Sequence, residues 1–222
     1  VKIVLLGQGY FLAPELEGYA LPPAWRKATR NMIMATVSME RALKSLPGWI
    51  EKAHEQTALV LGSNSGELET SSEFLMTLDR TKMARPLLFQ NSLHNATTGF
   101  ASIHFKLTGP TFSLSSGQRM PGECLEMARA LLLDGLCGAC LVTLVEGHRL
   151  LAGFIDRQVE EGAVSLLLAT ESFALQAGYA VAGREEFDFA AWGAPYPDDP
   201  SCAPLTSITG SQLFKRVYEL AK

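Results

Sequence analysis

Three near-continuous apolar runs constrain this chain most: Thr57 to Gly62, Gly138 to Val145 and Ala163 to Ala169. A strand that is apolar at nearly every position has no face to give to water, so it needs cover on both sides. Helical spacing supplies that cover. From Trp25 to Leu46, the residues Met32, Ala35, Met39, Ala42, Leu43 and Leu46 recur every three or four positions, and Pro47-Gly48 closes the pattern. Further helices are expected over Ser71–Thr81, Ala96–Leu107, 122–133 and, briefly, Ser211–Ala221. Val1 to Gly7 reads as an opening strand, 111–116 as a short one, and Pro86 to Asn91 as an apolar loop or strand start. Strands alternating with helices predict an α/β fold with a mixed, mostly parallel sheet between helical layers.

Composition removes several function classes. The 19 basic and 23 acidic residues are dispersed, giving a net charge of −4 and no basic footprint for nucleic acid. The most apolar stretch, Ala130 to Val145, is broken by Asp134, Gly135 and Gly138, so it reads as helix, turn and strand, not a membrane span. The N-terminus turns polar too soon for a signal peptide. Cys124, Cys137, Cys140 and Cys202 are expected to be reduced thiols in a cytoplasm. Cys137 and Cys140 form a C-x-x-C, a redox or half-metal pattern. It has no second pair of ligands and lies in an apolar run, where cysteine behaves as a small hydrophobe. No metal or cofactor is expected.

The segment with the most chemical content runs from Leu107 to Gln118. A Gly109-Pro110 turn leads into the short strand, then into the small residues Ser115-Ser116-Gly117, then into a helix. Such a corner presents a side chain at a helix start, where backbone N–H groups stabilise developing negative charge. Acyl-transfer enzymes place a Cys or Ser there. This chain has Gln118, whose amide cannot attack a thioester.

The order of these pieces resembles the N-terminal half of a β-ketoacyl synthase, a thiolase-fold enzyme. Arg26, Thr29 and Arg30 open the long helix, and Val60 to Gly66 form a strand and glycine turn. Asn95 comes next, and Leu107-Thr108-Gly109-Pro110-Thr111 is similar to the family's Gly-Pro-Ser signature. Leu133-Asp134-Gly135, Val145-Glu146-Gly147 and Glu160-Glu161-Gly162-Ala163 follow in the family's order. The family's nucleophilic cysteine lies eight residues after the proline, which here is Gln118. The stretch from Glu146 to Glu161 is shorter than in the family. Its two active-site histidines and its lysine have no match, and His54, His94, His104 and His148 read as structural or exposed. The resemblance covers residues 1–172 as a ketosynthase-half-like domain, with 173–222 as a C-terminal extension packed on it.

Glutamine at the cysteine position resembles chain-length factors, the partners of polyketide ketosynthases, with the aryl-polyene type of pair the nearest match. The resemblance implies a non-catalytic subunit of a heterodimer with a full-length ketosynthase, serving polyene, polyketide or fatty-acyl elongation and meeting the acyl carrier protein only indirectly. It implies that Thr111, Phe112, Ser113, Leu114 and Ser115 form the dimer-interface strand. It implies too that Leu87, Leu88, Phe89 and Leu93 close the partner's acyl tunnel; as residues alone they read equally as core packing. Gln118 itself could satisfy backbone groups at the helix start, mimic an acyl amide, or serve decarboxylation. The alternatives to the subunit are a Gln-type malonyl-carrier-protein decarboxylase and a free-standing acyl-thioester-binding pseudoenzyme. Phe187, Phe189 and Trp192 are either a cover for a bare face or an irregular C-terminus.

Overall fold

A computed structural model describes residues 1–147, 161–193 and 217, and of Gln118 the backbone alone. The elements follow in the order β1 (Ile3–Leu12), α1 (Arg30–Leu43), α2 (Trp49–Ala53), β2 (Thr57–Gly62), α3 (Leu68–Thr81), α4 (Pro86–Asn91) and α5 (Ala96–His104). Then come β3 (Thr111–Leu114), α6 (Met120–Leu133), β4 (Ala139–Glu146), β5 (Gly162–Thr170), α7 (Glu171–Gln176) and α8 (Phe189–Gly193).

The strands form one sheet in the order β1-β5-β4-β2-β3. β2 pairs parallel with β3 and β4, whereas β5 pairs antiparallel with β4 and β1. Four strands therefore point one way and β5 alone runs against them. The mixed, mostly parallel sheet expected from the sequence is what the chain forms.

Every residue of β2, β4 and β5 is buried, because the pleat sends alternate side chains into two separate cores. Leu59, Leu61, Leu141, Val145 and Leu167 join Met34, Val37 and Met39 of α1 on one face. Ala58, Val60, Val142, Leu144, Leu166 and Leu168 join Leu125, Ala128 and Leu132 of α6 on the other. The result is three layers, helix on sheet on helix. A buried chain of hydroxyls ties α1 to the middle of the sheet: Ser38 Oγ lies 2.6 Å from Ser165 Oγ, which lies 2.8 Å from Thr143 Oγ1.

Several element boundaries differ from the sequence expectation. The first strand runs on to Leu12, through Gly7 and Gly9. α1 starts at Arg30, five residues after Trp25: Thr29 caps it by accepting from the Met32 N–H, and Trp25 instead closes a short 3₁₀ turn, buried against Phe100 and His104. Pro86 to Asn91 is a helix, not a loop or strand start, with proline in the first turn, where its missing N–H costs nothing. α5 stops at His104, just before Lys106 takes a left-handed φ of 53°. β3 ends at Leu114, two residues short of the expected 116. Beyond Gly183, Phe189 meets Phe187 edge-on and Trp192 meets it at a tilt, with ring centroids 4.8 and 5.2 Å from Phe187, and the three pack on the α6 side of the sheet. The expected helix at 211–221 lies outside the described residues apart from Val217, which is helical and buried. His148, Cys202 and the connection from 148 to 160 lie outside them too.

Candidate functional site

β2, β3 and β4 run parallel, so their C-terminal ends meet on one rim of the sheet, the place where α/β folds put their sites. β3 is an edge strand. The Leu59 N–H donates to the Pro110 carbonyl at 2.9 Å and the Ser63 N–H to the Leu114 carbonyl at 3.0 Å. Even-numbered residues of β3 therefore face β2, and the main-chain groups of Thr111 and Ser113 face outward. The opposite edge differs. On β1, the Ile3 carbonyl accepts from the Phe187 N–H, Leu5 and Tyr10 carbonyls accept from Arg184 and Arg41, and the Leu12 N–H donates to Glu15. One edge is capped along its length, and the other has no strand partner among the described residues.

From β3 the chain passes Ser115 and Ser116 into a 3₁₀ turn, Gly117–Arg119, and then into α6. Gly117 takes a φ of 62°, which its lack of a Cβ permits. Asn64 clamps this corner. Its Nδ2 donates to the Gly117 carbonyl at 3.1 Å and its Oδ1 accepts from the Gly117 N–H at 2.8 Å. Asn64 is in turn held by Glu146, the last residue of β4, 1% exposed. The Glu146 carboxyl accepts from the Asn64 N–H, from the Ser65 N–H at 3.0 Å and from Ser65 Oγ at 2.5 Å. Three strand ends are thus locked by one carboxyl and one amide. Gly62 lets the first turn of α6 come down on the sheet: a Cβ there would lie 2.7 Å from Cys124 Sγ and 2.9 Å from Met120.

Gln118 sits in that turn, ahead of the 14-residue helix α6. The roles suggested for its side chain lie outside the described atoms. What its backbone position and its chemistry do say is that the corner carries an amide where a thioester would need a nucleophile. The described cysteines supply no reactive thiol near this corner. Burial pushes the Cys124 thiol up to about 12, with Glu123 adding to the shift, and the Cys137 thiol up to about 11 against one backbone hydrogen bond from Ala58. Cys140 is fully buried and stands well above the usual thiol range for the same reason. The described cysteines are packed thiols, not thiolates. Among the described residues no group of three or more His, Cys, Asp or Glu could hold a metal ion.

The histidines lie elsewhere. His54 precedes β2 and hydrogen-bonds the Ile50 carbonyl at 3.0 Å; His104 ends α5 and meets Glu40 at 3.0 Å. Both belong to the end of the sheet where β2 and β3 begin, opposite the corner. His94 lies against Gly66.

Glu67 was not singled out by sequence reasoning. It is 5% exposed and accepts hydroxyl protons from Thr29 at 2.9 Å, from Thr70 at 3.4 Å and from Thr97. It joins the N-terminal ends of α1, α3 and α5. Burial raises its pKa above the usual 4.5, partly offset by the three hydroxyls. A carboxyl whose folded pKa is raised holds its proton longer folded than unfolded. Its contribution is therefore complete below 4.5 and is lost as pH rises through the folded value. Glu67→Gln, neutral throughout, should abolish that loss. The variant is expected to gain on the parent chain in urea midpoint between pH 4.5 and 7. Parallel pH curves for the two proteins would refute this account.

The residues expected at the tunnel are on the surface, so plain core packing does not describe them. Leu87 and Phe89 on α4 are 40% and 54% exposed, and Leu93 just beyond is 44% exposed; Leu88 is half-buried. Phe89 leans on Phe74 of α3, ring centroids 5.7 Å apart. Leu75 and Met76 of α3 are exposed as well, at 62% and 72%.

Residues 38–181 match the family model described as the N-terminal domain of β-ketoacyl synthase, well over half of the chain. This chain belongs to that family. Among solved structures it is similar to the ishigamide ketosynthase/chain length factor, at 18% identity and a TM-score of 0.68 over 84% of this chain and 64% of that one. A ketosynthase (ApeO) in complex with its chain length factor (ApeC) from Xenorhabdus doucetiae matches at 21% identity and a TM-score of 0.60, over 77% and 79% of the two chains. A β-ketoacyl synthase from Burkholderia phymatum STM815 matches at 17% identity and a TM-score of 0.65, over 81% and 61%. This chain spans 64% of the ishigamide chain and 61% of the Burkholderia one. No curated protein matches the sequence. At these identities the neighbours establish the thiolase-like ketosynthase fold. Among the described residues no helix is long and apolar enough to cross a membrane.

Proposed function

We propose that this chain is a chain-length-factor-type subunit, itself without condensing chemistry, of a heterodimeric ketosynthase. The partner's cysteine takes the acyl group from an acyl carrier protein and condenses it with a malonyl unit; this chain shapes the tunnel that receives the growing product. The observation that carries the reading is the corner after β3: it keeps the family's strand, turn and helix but holds Gln118 eight residues after Pro110. The β3 edge, unpaired among the described residues, and the exposed apolar side chains of α3 and α4 support it, since the first offers strand groups and the second offers surface that water disfavours. Neighbours described as ketosynthase and chain-length-factor pairs support it as well.

Co-expression with a ketosynthase of this type is the test. A one-to-one complex, or an assembly of such pairs, is expected on size-exclusion, burying over ~2,000 Å² in total. In the reconstituted complex, removing the partner's cysteine should abolish elongation, while Gln118→Ala leaves most of it. A monodisperse monomer that fails to associate would sink the subunit reading. Carbon dioxide release from malonyl carrier protein by this chain, lost in Gln118→Ala, would put a decarboxylase in its place.

A further inference from the structure

The helix α4 is held in place by few contacts. None of its six residues is buried: Leu88 and Asn91 are half-buried and the others are exposed. So short a helix does not sustain itself in water, and its position depends on what it touches. Two tethers run to α3. Phe89 rests on Phe74, and just past the end of the helix the Ser92 carbonyl accepts from Ser71 Oγ at 3.1 Å. A third runs to the chain ahead of α1, where the Lys27 carbonyl accepts from Asn91 Nδ2 at 3.0 Å. Only the amide nitrogen of Asn91 can make this bond, and the acceptor is main chain, so the lysine ammonium has no part in it.

The tethered elements share a cleft of about 470 Å³. Lys27 lines it from ahead of α1, Glu69 and Glu73 from α3, and Leu87, Leu88 and Asn91 from α4. α4 is therefore tied to both of the other contributors, to α3 by packing and a serine hydroxyl, and to Lys27 by one side-chain amide.

We propose that Asn91 is a positioning residue of the tunnel gate: its bond to the Lys27 backbone limits how far α4 can shift, and so sharpens the length at which a growing acyl chain stops. This rests on the reading of α4 as that gate. A chain two carbons longer than the normal product has to displace side chains that ride on α4. Moving the helix away from Lys27 breaks the Asn91 bond, so the bond adds to the cost of each overlong product. Asn91 acts through Leu87, Leu88 and Phe89, not by meeting the acyl chain itself.

The test uses the assembled complex. Asn91→Leu keeps nearly the same side-chain size and removes the donor, whereas Lys27→Ala removes the ammonium and keeps the carbonyl. Because Asn91 is half-buried and Lys27 exposed, neither change should hinder folding, which unfolding midpoints check. The readout is the ratio of product one two-carbon unit longer to the parent product, taken beside the rates of the earlier extension steps. In Asn91→Leu the ratio is expected to rise about two- to tenfold, the range one hydrogen bond spans, with the earlier steps unchanged. The backbone amides of residues 89–91 should also exchange faster with deuterium. Lys27→Ala should match the parent in both. An unchanged ratio in Asn91→Leu, in a complex where Phe89→Ala does lengthen the product, overturns the inference and leaves the gate. An equal rise in Lys27→Ala overturns it as well, since the ammonium and not the backbone bond is then at work. If neither Phe89→Ala nor Asn91→Leu moves the ratio, the gate reading fails and this inference with it.

Discussion

Glu146→Ala is expected to lower the stability of the chain by about 3–5 kcal/mol, the usual scale for removing one member of a buried charged network. The reasoning starts from burial. Glu146 is 1% exposed and serves the Ser65 and Asn64 N–H groups and the hydroxyls of Ser63 and Ser65, of which Ser63 is buried and Asn64 and Ser65 are half-buried. Each donor left without an acceptor costs about 1–3 kcal/mol in the interior. The damage travels, because the turn that Glu146 holds presents Asn64 to Gly117. Ser65→Ala, which removes one hydroxyl and leaves the carboxyl in place, should cost only about 1 kcal/mol. Urea or guanidinium unfolding of both variants measures this. A loss below about 1 kcal/mol in Glu146→Ala would mean that the strand ends are held by something other than this carboxyl.

What could be read from the sequence followed from local pattern. The three apolar runs became β2, β4 and β5 within a residue or so of the expected bounds, because total burial needs no partner to be recognised. β1 was cut short because Gly7, Gln8 and Gly9 interrupt its apolar pattern; those glycines are small because α1 lies against them, a fact of packing and not of strand propensity. The antiparallel direction of β5 had no local signal, since an apolar run reads the same whichever way it points. Pro86 suggested a loop, although proline in a first helical turn is as ordinary as proline in a turn. The corner was located by the spacing from Pro110 to Gln118. Its clamp was not, because Asn64 and Gly117 are 53 residues apart and meet only once two parallel strands end side by side. Glu67 was missed for the same reason: its three hydroxyl partners come from three different helix starts.

Phe89→Ala should move the product distribution of the assembled complex toward longer chains by at least one two-carbon extension. In the free chain Phe89 is 54% exposed and, among the described aromatic residues, rests on Phe74, so its removal is expected to cost the fold less than about 1 kcal/mol. The effect belongs to the complex, where the ring would close the end of the tunnel. Each methylene that enters the vacated space leaves water for about 0.8 kcal/mol, so one extension unit is favoured by about 1.6 kcal/mol, more than tenfold in product ratio. Phe187→Ala is the control. That ring is 7% exposed and packed between Phe189 and Trp192 on the α6 side of the sheet, so its loss should cost about 3–5 kcal/mol of stability and leave product length unchanged. Product masses from a reconstituted assay, read beside unfolding midpoints, separate the two effects. If substitutions at Leu87, Leu88, Phe89 and Leu93 all lower yield without moving the length distribution, the apolar face of α4 is a docking surface only, and the tunnel ends elsewhere.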